Sequence, residues 1–221
     1  MYVPSGTTII AIKADTGKEL WKSDLATIPG LANSNPSPGG RGISYWAGVP
    51  PRVTPRIVIA TTNGFLVQLD AKTGKPIAGP AGLVNMSTGV MEKFGGSWAT
   101  NMPPAIYKNL IISRGDNEGT KGNTVKAYDI VTGAPKWTFY LKAQQGDPNR
   151  ATWLNNSGDT DATPGLWGTF TVDEARGTLF VPVEKTEGNG TNDYWGGSAP
   201  GNNLYEDCLV ALDAATGKLK W

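Results

Sequence analysis

The stretch FLVQLDAKTGKPIAG (residues 65–79) occurs in four related copies along this chain. The other three copies are IIAIKADTGKELW (9–21), TVKAYDIVTGAPKW (124–137) and CLVALDAATGKLKW (208–221). Each copy is predicted to form an apolar β-strand, a tight turn and a second strand, because β-branched and other apolar residues precede the turn. Repetition of this kind is typical of an array of similar structural units.

The turn chemistry explains why the copies look alike. Each turn ends in a glycine, and the four glycines are Gly17, Gly74, Gly133 and Gly217. Glycine adopts positive φ without a Cβ clash, and an aspartate such as Asp70 can bond the backbone two residues later. Three copies close on a tryptophan, a large side chain predicted to pack between neighbouring sheets; these are Trp21, Trp137 and Trp221. The second copy has Ala78 at that position.

Composition favours an all-β chain and excludes several classes of function. The 221 residues include 29 Gly, 16 Pro and 8 Trp, and no long segment shows helical apolar periodicity. A dispersed net charge of +1 argues against a nucleic-acid binder. No apolar run approaches transmembrane length. Cys208 is alone, so no internal disulfide forms. Residues 1–5 lack the features of a signal peptide, so any export signal lies outside this chain.

The spacing of the copies predicts a β-propeller. A four-stranded blade takes about 40–50 residues, and propellers close with about 4–8 blades. We therefore expect residues 1–221 to form one partial β-propeller domain of about four blades, with blade phrases ending near residues 21, 79, 137 and 221. Long Gly-, Pro-, Asn- and Asp-rich stretches separate the phrases, and functional residues usually lie on such loops.

Beyond the blade phrase, three loop segments occur in a distinctive order. They are Arg41-Gly42-Ile43-Ser44-Tyr45-Trp46, then Leu166-Trp167-Gly168 with Val172-Asp173-Glu174 and Gly177, then Gly188-Asn189 with Asp193-Tyr194-Trp195-Gly196-Gly197. Together with the blade phrase, they resemble the pyrroloquinoline quinone (PQQ)-dependent alcohol and sugar dehydrogenases, which are eight-bladed propellers. The resemblance runs nearly end to end and covers about half of that propeller.

The resemblance implies three residues that contact PQQ. Arg41 matches the family arginine that pairs with a PQQ carboxylate, which suits a planar bidentate guanidinium. Trp167 matches the tryptophan that forms the floor under the PQQ ring, and Thr100 falls where the family has a threonine contacting PQQ. From the residues alone, the alternatives are a loop arginine bonded to backbone carbonyls, a core tryptophan and a strand-edge threonine.

The resemblance also implies two metal ligands. Glu118 stands eleven residues before Asp129, the offset of the metal-binding glutamate in the calcium-dependent members. Asn189 matches their asparagine ligand, and the two together offer oxygen ligands suited to Ca²⁺. The alternative is that both are solvated turn residues. Asp116 lies on the same loop and is interpreted as a turn aspartate rather than a general base.

The function implied is part of a periplasmic PQQ-dependent dehydrogenase that oxidises an alcohol or sugar hydroxyl. In the family the catalytic aspartate lies in an H-x-x-W-D-like segment after the phrase that corresponds to 208–221, and the chain has no histidine. No residue here is therefore assigned as the catalytic base, and the chain alone is expected to be inactive. The remaining half of the propeller and a small-molecule alcohol or sugar substrate are the expected partners. No C-x-x-C-H haem motif is present.

Two other functions remain open from the repeats alone, because fold does not imply function. The first is a non-enzymatic propeller scaffold for protein–protein interaction. The second is a carbohydrate-binding propeller, in which surface tryptophans such as Trp195 stack on sugar rings. Convergence of Arg41, Trp167 and Asn189 on one funnel would separate the dehydrogenase from both.

Overall fold

A computed structural model describes residues 1–32, 35–87, 102–160, 162–187 and 200–221. The described residues form short β-strands joined by turns and brief 3-10 helices, so the prediction of an all-β chain is confirmed. The strands are β1 (Tyr2–Ser5), β2 (Thr8–Ile12), β3 (Glu19–Asp24), β4 (Ser44–Trp46), β5 (Arg56–Ala60), β6 (Phe65–Asp70), β7 (Leu83–Asn85), β8 (Ala105–Tyr107), β9 (Leu110–Asn117), β10 (Asn123–Asp129), β11 (Pro135–Tyr140), β12 (Thr163–Pro164), β13 (Thr171–Asp173), β14 (Thr178–Pro182), β15 (Thr186–Glu187) and β16 (Leu209–Asp213).

In three sheets of the described residues, strands that follow each other in sequence lie side by side, whereas β14 pairs with β16 and β12 pairs with β15. Four sheets have the strand orders β1-β2-β3, β4-β5-β6-β7, β11-β10-β9-β8 and β13-β14-β16. A fifth, small sheet pairs β12 with β15. Within the described residues, the 3-10 helices are Leu25–Thr27, Pro80–Gly82, Gly119–Lys121, Pro148–Thr152 and Leu154–Asp159. Asp116 belongs to β9, which continues to Asn117, so the interpretation of Asp116 as a turn residue is wrong.

The chain divides into two compact units. Of the described residues, 1–86, 102–111 and 128–134 belong to the first unit, and 87, 112–127 and 135–221 belong to the second. In the first unit β5 is buried along its whole length. Ile57 and Ile59 contribute to one apolar cluster, and Val58 and Ala60 contribute to another. Because side chains alternate along a strand, β5 is packed on both faces.

The turns of three phrases have the predicted chemistry. One carboxylate oxygen of Asp70 accepts hydrogen bonds from the backbone N–H groups of Lys72 (3.0 Å) and Thr73 (2.9 Å). The same pattern recurs at Asp129 and at Asp213. Each turn then closes with a bond from the glycine N–H to the aspartate carbonyl, and Gly74 and Gly217 both have φ of +70°. The first phrase has Lys13 in place of the aspartate and keeps only the backbone bond.

Two of the phrase tryptophans, Trp21 and Trp137, pack onto the glycine turns of other phrases. A Cβ added at Gly74 would collide with the ring of Trp21, and a Cβ at Gly217 would lie 2.5 Å from Cε3 of Trp137. In each case the tryptophan ends one sheet and the glycine belongs to the phrase of another. The phrase repeat is therefore also a repeat of contacts.

The second phrase departs from this pattern in two ways. It lacks the tryptophan, and the backbone of Pro80 and Ala81 packs on Gly133 instead. Its predicted second strand is reduced to an isolated bridge between Leu69 and Pro76. Proline has no N–H to donate to a ladder, so a regular strand does not form there. The fourth phrase likewise has only an isolated bridge, between Leu212 and Leu219.

Candidate functional site

Trp167 presents an exposed aromatic surface at a rigid point in the second unit. Its side chain is 45% exposed, whereas the preceding Leu166 is 1% exposed. The following Gly168 lies against Pro182, because an added Cβ would be 2.6 Å from the Pro182 Cγ. The alternative of a core tryptophan does not hold for Trp167, and an exposed indole held by packed neighbours suits stacking on a planar ligand.

Buried polar side chains bind the backbone that leads to Trp167. Lys142 donates from Nζ to the carbonyl oxygens of Thr160 (2.7 Å) and Ala162 (3.0 Å). Asn123 donates from Nδ2 to the carbonyl oxygen of Pro164 (2.9 Å). Arg114 donates from Nη1 to the carbonyl oxygen of Leu166 (2.9 Å). Sequence analysis did not single out these three side chains, since they contact residues that lie 18 to 52 positions away in sequence.

Glu118 directly follows β9, and both of its carboxylate oxygens accept hydrogen bonds. Oε1 is 2.7 Å from Nζ of Lys126, and Oε2 accepts from the Tyr140 hydroxyl at 2.8 Å. Although burial acts to raise it, the pKa of Glu118 is lowered, because the hydrogen bonds from Lys126 and Tyr140 outweigh burial. Burial and the Glu118 carboxylate raise the pKa of Tyr140 to about 12. Glu118 is thus an ionised, oriented carboxylate rather than a solvated turn residue.

Glu118 fits a metal site only if its carboxylate oxygens can bind a cation in addition to the hydrogen bonds they already accept. Each carboxylate oxygen has two lone-pair directions, so one hydrogen bond per oxygen leaves room for a cation ligand bond. Ligating carboxylates are commonly hydrogen-bonded by neighbouring groups in this way. Among the described residues, no group of three or more His, Cys, Asp or Glu side chains could hold a metal ion. Asn189, the second expected ligand, lies outside the described residues.

A polar, partly open cavity of about 470 Å³ lies in the second unit. It is lined by Thr120, Lys121, Gln144, Gln145, Arg150 and Asp159. Thr120 and Lys121 belong to the 3-10 helix that directly follows Glu118. Amide, hydroxyl and charged groups in one cavity suit a small ligand with several hydroxyls.

The structure gives less information about the other predicted site residues. Arg41 is exposed and belongs to the first unit, three residues before β4. β4 itself is anchored, because the Trp46 indole N–H donates to the Lys108 carbonyl at 2.8 Å. Thr100 lies outside the described residues. The convergence of Arg41, Trp167 and Asn189 on one funnel therefore stays a prediction.

The whole chain is similar to known proteins of one family. A family model described as the PQQ, glucose/ethanol/alcohol dehydrogenase β-propeller domain matches residues 1–221. The quinohemoprotein alcohol dehydrogenase of Comamonas testosteroni is 28% identical over 100% of this chain and 31% of its own length. The quinoprotein glucose dehydrogenase of Escherichia coli is 28% identical over 96% of this chain and 28% of its own length. The chain thus spans less than a third of either relative.

A solved structure agrees with the sequence relatives. The crystal structure of the quinohemoprotein alcohol dehydrogenase from Comamonas testosteroni superposes with a TM-score of 0.73 at 25% identity, over 100% of this chain and 32% of that one. The prediction of a partial β-propeller is confirmed. Among the described residues, no helix combines the length and hydropathy of a membrane-crossing segment.

Proposed function

Because this chain belongs to the family of PQQ-containing glucose, ethanol and alcohol dehydrogenase β-propellers, we propose that it is part of a dehydrogenase that oxidises an alcohol or sugar hydroxyl with PQQ. The observation that carries the proposal is the exposed indole of Trp167, held between buried or packed neighbours in a chain of this family. We further propose that the protein works in the periplasm, as the resemblance implies.

Bound PQQ would supply a two-electron acceptor, and the residues of this chain would bind and orient it. Trp167 would stack beneath its planar ring. Arg41 would pair its guanidinium with a carboxylate of the cofactor, which a fixed fork of donors favours. Thr100 would donate its hydroxyl to a further oxygen.

Glu118 and Asn189 would hold the divalent ion, which we propose is Ca²⁺. The Glu118 carboxylate suits this role because its lowered pKa keeps it charged and because two donors fix its direction. Lys126 and Tyr140 would act from outside the coordination sphere by orienting the ligand. No residue of this chain is assigned to accept the substrate proton.

Glu118→Gln is expected to lower the Ca²⁺ affinity of the complete protein that contains this chain by at least about tenfold, because a neutral amide replaces a charged oxygen ligand. Isothermal calorimetry with Ca²⁺ measures the change. Glu174→Gln, at an exposed turn, is the matched control and should leave the affinity unchanged. Equal affinities for the two variants would remove Glu118 from the metal site.

The proposed activity is tested on the complete protein loaded with PQQ and Ca²⁺. We expect an alcohol or a sugar to reduce an artificial electron acceptor at a rate that falls to background when PQQ is left out. The polar lining of the cavity that contains Thr120 and Lys121 favours ligands with several hydroxyls, so the panel should pair glucose and glycerol with ethanol. Binding of PQQ without turnover of any alcohol or sugar would contradict the proposed reaction.

A further inference from the structure

One edge of the segment 162–166 is covered by side chains. The carbonyl groups of residues 162, 164 and 166, and that of Thr160 before them, all accept hydrogen bonds from Lys142, Asn123 or Arg114. Along the extended strand β12 every second carbonyl points to the same side, so the bonds to residues 162, 164 and 166 follow one edge. We call the three donors Arg114, Asn123 and Lys142 the carbonyl clamp.

The carbonyl clamp is buried and partly charged. Lys142 is 1%, Asn123 is 2% and Arg114 is 7% exposed. Hydrogen bonds from a charged donor are stronger than those between neutral groups. A carbonyl that loses a buried donor is left without water to replace it. The clamp therefore fixes the segment more firmly than a solvent-exposed loop would be fixed.

The segment is held at further points. On its other side β12 pairs with β15, so that Thr163 is opposite Glu187 and Pro164 is opposite Thr186. The Asn123 N–H donates to the Thr163 hydroxyl oxygen at 2.8 Å. A Cβ added at Gly122 would lie 2.6 Å from that oxygen, so only glycine leaves room for this approach. The fixed segment ends at buried Leu166, and Trp167 is the next residue.

We propose that Arg114, Asn123 and Lys142 are positioning residues, which fix the backbone before Trp167 and so orient its indole for stacking on a planar quinone. The inference rests on the proposed function, because the stacking role of Trp167 is part of it. Arg114 has the most direct effect, since it binds the carbonyl of the residue that precedes Trp167.

The orientation of Trp167 can be followed by ¹⁹F NMR of chain 1–221 labelled with 5-fluorotryptophan, with its signal assigned through Trp167→Phe. We expect Arg114→Met to shift or split the Trp167 signal while Trp21, in the first unit, is unchanged. Asn123→Ala is a milder second variant with a smaller shift of the same signal. Arg114→Lys retains a donor and should restore the wild-type signal. Arg176→Met, which removes an exposed arginine of the same unit, is the control.

A Trp167 signal that is unchanged in both Arg114→Met and Asn123→Ala would overturn the inference. A uniform change of all tryptophan signals would also overturn it, because the clamp would then support the whole fold and not this residue. Titration of the complete protein with PQQ separates the two proposals: Arg114→Met should weaken binding by at least about tenfold, and Arg114→Lys should recover it. A complete wild-type protein that binds no PQQ contradicts the proposed function, while the fluorine result still decides whether the clamp orients Trp167.

Discussion

Gly217→Val is expected to destabilise the chain by about 2–6 kcal/mol. Two costs add. A β-branched residue at φ +70° carries backbone strain of about 1–3 kcal/mol. The added side chain would also overlap the Trp137 ring, which lies 2.5 Å from the position of a Cβ, and such overpacking costs about 1–3 kcal/mol. Denaturant unfolding measures the sum.

Gly17→Val is the matched control for this prediction. Gly17 occupies the same turn position of the first phrase with φ of +67°, but no heavy atom lies within 4 Å of an added Cβ. The stability lost by Gly17→Val should therefore be limited to the backbone strain of about 1–3 kcal/mol. Trp137→Ala combined with Gly217→Val should be less destabilising than the sum of the single changes, because the clash is removed. Equal losses for Gly17→Val and Gly217→Val would show that the tryptophan contact adds nothing.

Trp167→Ala is expected to weaken PQQ binding by about tenfold to a hundredfold, equivalent to about 1.4–2.8 kcal/mol. The loss follows from removing the broad aromatic face on which the cofactor ring would stack. Fluorescence and absorption titration of the complete protein with PQQ measures the affinity. Trp167→Phe should show an intermediate loss, since a smaller ring remains.

Trp221→Ala is the control for the cofactor titration. Trp221 is a second exposed tryptophan of the same unit, 65% exposed, and it packs beside Phe180 with ring centroids 6.0 Å apart. Its removal should not change PQQ affinity. Equal effects of Trp167→Ala and Trp221→Ala would indicate nonspecific stacking and would favour the interpretation of the chain as a scaffold.

The sequence predicted those features whose causes are local. The turns at Asp70, Asp129 and Asp213 follow from a carboxylate and a glycine a few positions apart, and the structure has the expected bonds. The sequence analysis expected the phrase tryptophans to pack between neighbouring sheets, and in the structure Trp21 packs on Gly74 of another copy of the phrase. A repeat conveys long-range contacts that a single motif does not.

Other features were hidden because their partners are distant in sequence. The resemblance implied that Glu118 is a metal ligand, but the sequence of the chain did not reveal that Lys126 and Tyr140 orient it from neighbouring strands. Arg114 and Lys142 are charged residues in buried positions, and only the fold brings them to the carbonyls before Trp167. A charged residue flanked by apolar residues, as Lys142 is by Leu141 and Ala143, was the one available signal.

A crystal structure of the complete protein with PQQ and Ca²⁺ tests the central claim most directly. The account predicts that the quinone ring lies on the Trp167 indole, that Arg41 pairs with a cofactor carboxylate, and that Glu118 contacts the ion. It would be contradicted by a structure in which PQQ binds away from Trp167, or in which Arg41 and Trp167 face different cavities.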